Sequence, residues 1–256
     1  MTTIKFSIIT ITYNNPDFQK TLDSVRNQII IDFGIEHVIV DNLSTDNTSK
    51  IVDKYKKDVS YPVTYIRESD TGRYQAMNKG IKAATGEYLL FLNAGDHLRN
   101  EYVLSIFNKQ NFSSDILYGD IVGKTLSNFK IDLEFFKERS LFHQASFINK
   151  ELFNKIGFYD ERYQIVGDYE FFIRALKNKA SFKYIPQTFT NYDPNGISST
   201  MSDTFLAERC TVVMRHYMGL DYVYNFIKYL YYKNKKYIPN FIVKIQQDRL
   251  ANKPKI

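Results

Sequence analysis

The sequence predicts an α/β fold in which a mostly parallel central sheet is covered by helices on both faces. Short apolar runs typical of buried strands alternate with segments of helical periodicity through the amino-terminal half. Polar side chains follow several of these runs directly, at the edge of a parallel sheet where ligands bind. The chain has 256 residues, 44% hydrophobic and 24% charged, which are ordinary values for a folded protein with one large core.

The amino-terminal half alternates between strands at residues 4–12, 35–41, 63–68 and 87–93 and helices at 16–28, 44–58 and 74–85. Pro16 lies in the first turn of its helix, where a missing backbone N–H costs no hydrogen bond. Ser44, Thr45 or Asp46 can cap the second helix with a side-chain oxygen. Gly86 is expected to end the third helix.

The carboxyl-terminal half is less regular, with a helix to about residue 109, a strand at 115–120, a polar stretch, a strand and helix across 142–157, a helix from near 167 and a strand at 181–186. The chain after residue 202 is mainly helical. We therefore expect a main domain at 1–200, with halves at 1–98 and 99–200, and a helical extension at 201–256.

The basic excess of the chain belongs to its tail. The formal net charge is +6, but residues 226–256 hold eight Lys or Arg against the single acid Asp248, a net +7. The remainder is about −1. Binding of nucleic acid through the interleaved aromatic and basic residues of the tail is therefore not expected, because the main domain is nearly neutral.

Cysteine usage and hydropathy indicate a cytoplasmic protein. Cys210 is the single cysteine, so the chain can form neither an internal disulfide nor a CxxC metal site, and a reducing compartment is expected. The first residues alternate like a strand and lack the small residues of a cleavage site, so no signal peptide is expected. No window approaches the roughly 18 apolar residues of a spanning helix.

Polar tips follow three predicted strands: Thr12 to Asn14 after the first, Asp41 after the second and Asn93 to Asp96 after the fourth. In a parallel sheet these tips lie on one rim. The sequence has neither GxGxxG nor a P-loop, and the turn after the first strand has no glycine, so backbone cannot cradle a diphosphate there. A divalent cation held by Asp96, beside Gly95, is the alternative.

Six segments in this order resemble family 2 glycosyltransferases with the GT-A fold, especially bacterial enzymes that assemble surface polysaccharides: SIITITYNN, VIVDNLSTDNT, GRYQAMNKGI, GEYLLFLNAGD, FHQASFI and GDYEFF. The resemblance covers roughly residues 4–200. It implies the GT-A (nucleotide-diphospho-sugar transferase) fold, a nucleotide-sugar donor and the residue roles that follow.

On the nucleotide side, the resemblance implies that the loop of Thr12, Tyr13 and Asn14 and the acid Asp41 hold the nucleobase. Tyr13 can lie against a uracil, and Asp41 can accept from its N3–H. An Asx turn or helix cap is the alternative for Asp41. Asp46 is more simply a cap of the following helix.

The segment GRYQAMNKG supplies two further expected contacts. Arg73 can offer its guanidinium fork to diphosphate oxygens, with a solvated surface cation as the alternative. Asn78 can fix its helix against the sugar site. Gln75 stands where the family usually has an acid, so no contact with the donor sugar is assigned there.

NAGD corresponds to the metal motif of the family, with Asn93 replacing the first acid. The resemblance places Asn93, Ala94 and Gly95 at the nucleotide. Asp96, two diphosphate oxygens and waters suffice for an octahedral Mg²⁺ or Mn²⁺. The ion would neutralise charge on the departing diphosphate.

GDYEFF lies where the family has its catalytic base. Asp168 opens a helix after Gly167, so the helix dipole favours its ionised form, and the alternative is a simple helix cap. Glu170 is a weaker candidate. His143 and Gln144 match a segment on the acceptor side, although a lone histidine is usually structural.

Two carboxyl-terminal segments complete the expectations. The turn at 195–200 resembles a flexible family loop that closes over donor phosphates. Residues 220–250 mix aromatic residues and lysine at helical spacing, which suits peripheral contact with anionic lipid on the inner face of the cytoplasmic membrane. Packing on the main domain, or on a second subunit in a homodimer, is the equal alternative.

The sequence thus predicts a metal-dependent, inverting glycosyltransferase of the hexosyl- or N-acetylhexosaminyl-transferase kind. A UDP-sugar is the first choice of donor and a GDP-sugar the second. The acceptor would be a hydroxyl of a glycan or lipid-linked saccharide in surface polysaccharide biosynthesis. A non-catalytic sugar-nucleotide-binding protein is the rival interpretation, because of the residues at Asn93 and Gln75.

Overall fold

The structure of the chain, a computed structural model, describes residues 4–110, 112–192 and 202–234. The chain forms two compact units, divided between residues 196 and 197. The loop expected at 195–200 and the chain after residue 234 lie outside the described residues.

The amino-terminal unit is built on one sheet. In chain order the described strands are β1 (Ile4–Thr12), β2 (Gly34–Asp41), β3 (Val63–Arg67), β4 (Tyr88–Phe91), β5 (His97–Leu98), β6 (Ile116–Ile121), β7 (Ser146–Asn149) and β8 (Phe182–Asn191). Their order across the sheet is β3-β2-β1-β4-β7-β6-β8-β5. The helices are α1 (Phe18–Arg26), α2 (Thr48–Asp58), α3 (Arg73–Ala83), α4 (Val103–Asn108), α5 (Leu133–Glu138), α6 (Lys150–Ile156) and α7 (Gly167–Lys177), and a 3₁₀ turn spans His143–Ala145.

Strands β1 to β4 form the parallel part of the sheet. Thr12 of β1 pairs with Asp41 of β2, and Asp41 pairs with Arg67 of β3, so the carboxyl ends of these strands lie side by side. On the other side of β1, Phe91 of β4 lies opposite Ile9. All of β4 is buried, as expected for a strand covered on both faces.

The remaining strands make the sheet mixed. β7 lies antiparallel between β4 and β6, β8 runs parallel to β6, and β5 pairs antiparallel with β8. Among the described strands, four neighbouring pairs are parallel and three are antiparallel. The mostly parallel sheet predicted from the sequence is therefore confirmed, with its antiparallel strands in the less regular half.

One helix lies where the sequence predicts only a polar stretch. Asp132 caps α5 by accepting from the backbone N–H of Phe135 at 3.0 Å, and Phe136 is fully buried. Its six residues are too short to show a helical repeat of apolar side chains. The local signal was the cap alone.

Gly86 does not cap α3, contrary to expectation. The helix ends at Ala83, and Ala84 follows in an extended conformation. A Cβ at Gly86 would lie 2.6 Å from the Ser7 hydroxyl oxygen and 2.8 Å from the Ser7 backbone nitrogen. Glycine is required here by the close approach of β1 and not by the helix end.

The core under the parallel strands is aromatic and contains one paired polar group. Phe6 packs edge to face against Phe147, with ring centroids 5.3 Å apart. His37 lies between the Thr10 and Tyr55 hydroxyls, each 2.8 Å from a ring nitrogen. Burial lowers the pKa of His37 to about 3, so this ring stays neutral.

The carboxyl-terminal unit contains α8 (Asp203–His216) and α9 (Leu220–Asn234), which pack against each other. Ser202 caps α8 by accepting from the backbone N–H of Phe205 at 3.1 Å. Gly219 joins the two helices with φ of 70°, which favours glycine. Within the described chain, every helix is too short or too polar to cross a membrane.

Candidate active site

The tips of β1, β2 and β4 meet on one rim, as the sequence predicts. The backbone N–H of Asn42 donates to the Thr12 carbonyl at 3.1 Å, and that of Ala94 donates to the Ile11 carbonyl at 3.1 Å. The side-chain amide of Asn15 donates to the Ala94 carbonyl, also at 3.1 Å. The loops after these strands therefore form one continuous edge.

The loop after β1 is fixed to the loop after β2. Asn14 adopts φ of 45°, a left-handed conformation that asparagine tolerates. Its Oδ1 accepts from the N–H of Thr45 at 2.9 Å, and its own N–H donates to the Ser44 hydroxyl at 2.9 Å. Tyr13 is 60% exposed, so its ring can stack on a flat ligand. The Thr12 hydroxyl is buried and has no hydrogen-bond partner in the described chain.

Asp41 is fully buried at the tip of β2. Its Oδ1 accepts from the N–H of Ser44 at 2.9 Å, the arrangement of an Asx turn. Its Oδ2 accepts from the Tyr65 hydroxyl at 2.7 Å, and Arg67 Nε lies 3.5 Å from the same oxygen. The contact of Asp41 with a nucleobase stays a prediction, and it requires Oδ2 to exchange the tyrosine for the base.

Asp46 lies beside the start of α2. It accepts from the backbone N–H of Thr48 at 2.9 Å. The hydrogen bonds from Thr48 hold the pKa of the Asp46 carboxyl below its usual value. Asn47, and not Asp46, is the capping residue by position, but Asp46 supplies the oxygen.

Helix α3 carries two expected site residues with different surroundings. Arg73 is half-buried, and its guanidinium makes no hydrogen bond or ion pair with the described residues. Asn78 clamps α3 to the loop before α7, because its amide donates to the Tyr159 carbonyl and to Glu161 at 2.9 Å each. Gln75 donates to the same carboxylate at 3.2 Å. Asn78 is therefore structural here, whereas the Arg73 guanidinium is available to an anion.

The turn after β4 is anchored on α1. Thr21 donates its hydroxyl to the Asp96 carbonyl at 2.7 Å and accepts from the N–H of Gly95 at 3.0 Å. The Asp96 N–H closes the turn on the Asn93 carbonyl at 3.0 Å. Gly95 has φ of 102°, which a side chain would strain.

The donor set decides which kind of metal site this rim can form. The described residues contain no group of three His, Cys, Asp or Glu side chains that could hold an ion. Asp96 offers one buried carboxylate on its turn. An ion bound there takes its other ligands from water and substrate phosphate. The residues fit an ion shared with a diphosphate and do not fit one held by protein alone.

Asp168 lies in the first turn of α7 and accepts three hydrogen bonds. The Tyr169 N–H donates to Oδ1 at 2.8 Å, and His143 Nδ1 donates to Oδ2 at 2.8 Å. The Tyr74 hydroxyl lies 3.1 Å from Oδ1 and shares its single proton with the Ile165 carbonyl, 2.6 Å away. A Cβ on Gly167 would lie 2.8 Å from the Tyr74 ring, so glycine at this position lets the start of α7 lie close to Tyr74. Burial would raise the pKa of Asp168, but the bonds from His143, Tyr169 and Tyr74 hold it below its usual value.

His143 connects Asp168 to the turn after β4. A carboxylate only accepts, so the proton of a neutral ring is on Nδ1, next to Asp168. The other ring nitrogen, Nε2, lies 3.2 Å from Nδ2 of Asn93 and accepts from it. The side chains of His143 and Asp168 are 14% and 18% exposed, so a ligand can reach this pair. Oδ1 of Asn93 is buried without a partner in the described chain.

These contacts relate the three predicted acids to one another. Asp41 ends β2 beside Thr12, the Asn93–Asp96 turn is bonded to β1, and Asn93 touches His143, which binds Asp168. These contacts therefore link the segments that carry Asp41, Asp96 and Asp168.

Glu170 and Gln144 belong to the interior. The Glu170 side chain is 1% exposed and pairs with Arg174 at 3.0 Å. The Gln144 carbonyl accepts from the Thr190 hydroxyl at 2.6 Å, and the residue is buried. Their expected contact with an acceptor stays a prediction that this packing does not favour. Val166, and not Asp168, occupies the capping position of α7.

Comparison with known proteins decides the family. The sequence model of the family described as "Glycosyl transferase family 2" matches residues 7–177, more than half of the chain. The chain belongs to glycosyl transferase family 2. A relative from Mycobacterium bovis, a "PGL/p-HBAD biosynthesis glycosyltransferase", is 34% identical over 204 residues, which are 76% of this chain and 78% of the relative.

Solved structures confirm the GT-A fold of this family 2 glycosyltransferase. TarS 1-349 of S. aureus in complex with UDP-GlcNAc matches with a TM-score of 0.63 and 21% identity, covering 90% of this chain and 72% of that one. The mannosyltransferase PcManGT from Pyrobaculum calidifontis, in complex with GDP-Man and Mn²⁺, matches with a TM-score of 0.64 and 16% identity, covering 90% and 70%. As a member of its family, the protein transfers a sugar from a nucleotide-sugar.

Sequence reasoning gave no role to two tyrosines of the site. Tyr65 and Tyr74 each place a hydroxyl on an aspartate of the rim. The only local signal is that a buried tyrosine must find a partner for its hydroxyl. Which partner it finds depends on strands and helices that are distant in sequence, 94 positions apart for Tyr74 and Asp168.

Proposed function

We propose that this family 2 enzyme is an inverting glycosyltransferase in which Asp168 is the base. Asp168 takes the proton of an acceptor hydroxyl as that oxygen bonds to C1 of the sugar. The bond between C1 and the phosphate oxygen breaks with its electron pair, and a nucleoside diphosphate leaves. The observation that carries the proposal is the Asn93–His143–Asp168 chain of contacts, which joins the base to the turn of the donor side.

A UDP-sugar is the proposed donor, with a GDP-sugar second. Exposed Tyr13 and the fixed loop of Asn14 offer a stacking surface for a base beside Asp41. TarS has been solved with UDP-GlcNAc and PcManGT with GDP-Man. A panel of nucleotide sugars, assayed for release of the nucleotide, should show UDP release with at least one hexose or N-acetylhexosamine donor.

Negative charge on the leaving diphosphate would be met by a divalent cation held at Asp96 and by the Arg73 guanidinium. Asp96 would hold Mn²⁺ or Mg²⁺ together with the diphosphate, and such an ion supplies Lewis-acid stabilisation of the leaving group. Arg73 adds a guanidinium that lacks a hydrogen-bond partner among the described residues. Because the described residues contain no group of three His, Cys, Asp or Glu side chains that could hold an ion, titration of the free enzyme with Mn²⁺ should show weaker binding than titration in the presence of UDP.

The rival proposal is a protein that binds a nucleotide-sugar without transferring it, and it is motivated by Asn93 and Gln75, which stand where the resemblance leads us to expect acids. Calorimetry with UDP and Mn²⁺, run beside the release assay, separates the two. Binding without release with every donor and acceptor tried would support the rival. Release with any donor would overturn it.

The acceptor is proposed to be a glycan or lipid-linked saccharide of surface polysaccharide biosynthesis, reached at the inner face of the cytoplasmic membrane. Leu220, Val223 and Ile227 of α9 repeat at helical spacing and are 87%, 51% and 61% exposed. The sequence that follows α9 is rich in lysine, and it complements an anionic lipid surface. Two such tails side by side in a homodimer would repel each other.

Vesicle flotation tests the membrane contact. Ile227→Asp should reduce binding to vesicles containing phosphatidylglycerol, because it places a carboxylate on the apolar stripe. Ile31→Asp is the matched control, since Ile31 is also 62% exposed but lies in the amino-terminal unit. Equal flotation of all variants, or a dimer that Ile227→Asp dissociates, would contradict the membrane proposal.

A further inference from the structure

Asn93 contacts the imidazole of His143 in the turn where the resemblance to the family implies a metal-binding acid. We infer that Asn93 is a positioning residue whose amide N–H fixes the tautomer of His143 and, through it, the state of Asp168. The inference rests on the proposed function, in which Asp168 accepts the proton. It assigns to the amide a task that a carboxylate cannot perform.

The assignment follows from which atoms can donate. Asp168 Oδ2 lies 2.8 Å from His143 Nδ1, and an ionised carboxylate has no proton to give. The ring must therefore donate from Nδ1. Asn93 Nδ2 lies 3.2 Å from Nε2 and can only donate, so Nε2 is the acceptor and carries no proton in this arrangement.

An aspartate at position 93 would reverse this arrangement. Its oxygens can only accept, so they would face the lone pair of His143 Nε2 until the ring took up a second proton. The imidazolium would then lie between two carboxylates. A full positive charge 2.8 Å from Asp168 Oδ2 would make Asp168 a poorer base for the acceptor hydroxyl.

The substitution Asn93→Asp distinguishes this role from a metal-binding role. It restores the acid of the motif, so a metal-binding role for position 93 requires activity to stay equal or to rise. The tautomer role requires kcat to fall, by roughly 10- to 100-fold, the usual cost of losing a partner that orients a reacting group. The assay uses the full chain with a saturating donor and Mn²⁺.

A double-mutant cycle with His143→Gln tests whether Asn93 influences Asp168 through the His143 ring. If Asn93 acts through His143, Asn93→Asp should change kcat by less than about 2-fold in the His143→Gln background, because the ring is absent. Loss of the same size in both backgrounds would mean that the new charge acts directly on the diphosphate. That result would overturn the inference.

Nitrogen NMR determines the tautomer of His143 independently of any activity assay. The chain has four histidines, so the ring signals of ¹⁵N-histidine-labelled protein are few, and His143→Gln assigns one set. The wild type should show His143 protonated at Nδ1 alone. Asn93→Asp should show it protonated at both nitrogens at the same pH. A wild-type ring protonated at Nε2, or no change in the variant, would overturn the inference.

The outcomes remain distinct from those of the proposed function. If the wild type transfers no sugar, the proposed function fails, while the NMR signals still decide whether Asn93 sets the tautomer. If Asn93→Asp does not fold, Asn93→Ala replaces it. That variant removes the N–H that opposes a proton on Nε2 and adds no charge. Because Asp168 still holds the Nδ1 proton, His143 protonated at both nitrogens should become detectable, and its absence would count against the inference.

Discussion

Two carboxylates on the rim are held by the same kinds of partner and yet differ in what they can do. Asp41 and Asp168 each accept from a tyrosine hydroxyl and from a backbone N–H. The third partner is Arg67 for Asp41 and His143 for Asp168. The Asp41 side chain is 0% exposed, whereas that of Asp168 is 18% exposed.

Solvent access and the third partner therefore distinguish these two carboxylates, since their other two partners are of the same kind. Arginine keeps its charge at every ordinary pH, so Arg67 remains a cation 3.5 Å from Asp41 Oδ2. Histidine is neutral or charged according to its surroundings, so the basicity of Asp168 can be adjusted.

Removing the reactive carboxylate should have the largest effect. Asp168→Asn should lower kcat by roughly 10²- to 10⁴-fold, the usual contribution of general base catalysis. Nucleotide affinity, measured by calorimetry with UDP and Mn²⁺, should stay within a few-fold of the wild-type value. Asp168 is not part of the loop of Thr12 to Asn14 that is proposed to hold the nucleobase. A variant with normal turnover would end the assignment of Asp168 as base.

The corresponding substitution at the fully buried carboxylate, Asp41→Asn, should mainly lower the stability of the fold. Asp41→Asn leaves Arg67 without its anion and offers an amide to buried donors, so the free energy of unfolding should fall by about 1–3 kcal/mol. At saturating donor, kcat should change much less than for Asp168→Asn. Urea unfolding and steady-state kinetics check both parts. Equal losses of kcat at the two positions would remove the distinction.

The two tyrosines give a matched pair of smaller changes. Tyr74→Phe removes a hydroxyl that fixes Asp168, so kcat should fall by roughly 10-fold with little change in nucleotide affinity. Tyr65→Phe frees Oδ2 of Asp41 for a nucleobase, so it should alter nucleotide affinity and leave kcat nearly unchanged. Titration with UDP and initial rates separate the two. A loss of kcat in Tyr65→Phe together with a change of nucleotide affinity in Tyr74→Phe would contradict the different roles given to Asp41 and Asp168.

The smallest effect is on the pH dependence of stability. The pKa of Asp168 is lower in the folded protein than its ordinary value, so the folded state holds this proton less tightly. Its contribution to stability is therefore complete above about pH 4 and is lost as the pH falls through the folded pKa. The difference in unfolding free energy between wild type and Asp168→Asn should shrink in acid. If this difference in unfolding free energy instead grew in acid, the pKa of Asp168 would be higher in the folded protein than its ordinary value.

The sequence predicted the parallel core of the fold and the rim well, for physical reasons that particular residues show. The tips at Thr12, Asp41 and Asn93 follow apolar runs, and strand register then forces them together. It gave no role to Tyr74, because its contact with Asp168 depends on the packing of α3 against the loop before α7. Such contacts have no periodic signature.

The sequence also could not decide between alternatives that differ only in hydrogen bonding. Asp41 was compatible with base recognition and with an Asx turn, and the structure shows the turn geometry. His143 was assigned to the acceptor side as a lone histidine. Its partners on both ring nitrogens, Asp168 and Asn93, became visible only in three dimensions.

The stereochemistry of the product tests most directly whether Asp168 acts as the base of a single displacement. A donor of known anomeric configuration is turned over with an accepted saccharide, and the new linkage is read by proton NMR before it can be altered. Inversion at C1 is the expected result, because the acceptor oxygen attacks opposite the diphosphate. Retention at C1 would require two successive displacements and would contradict the role given to Asp168.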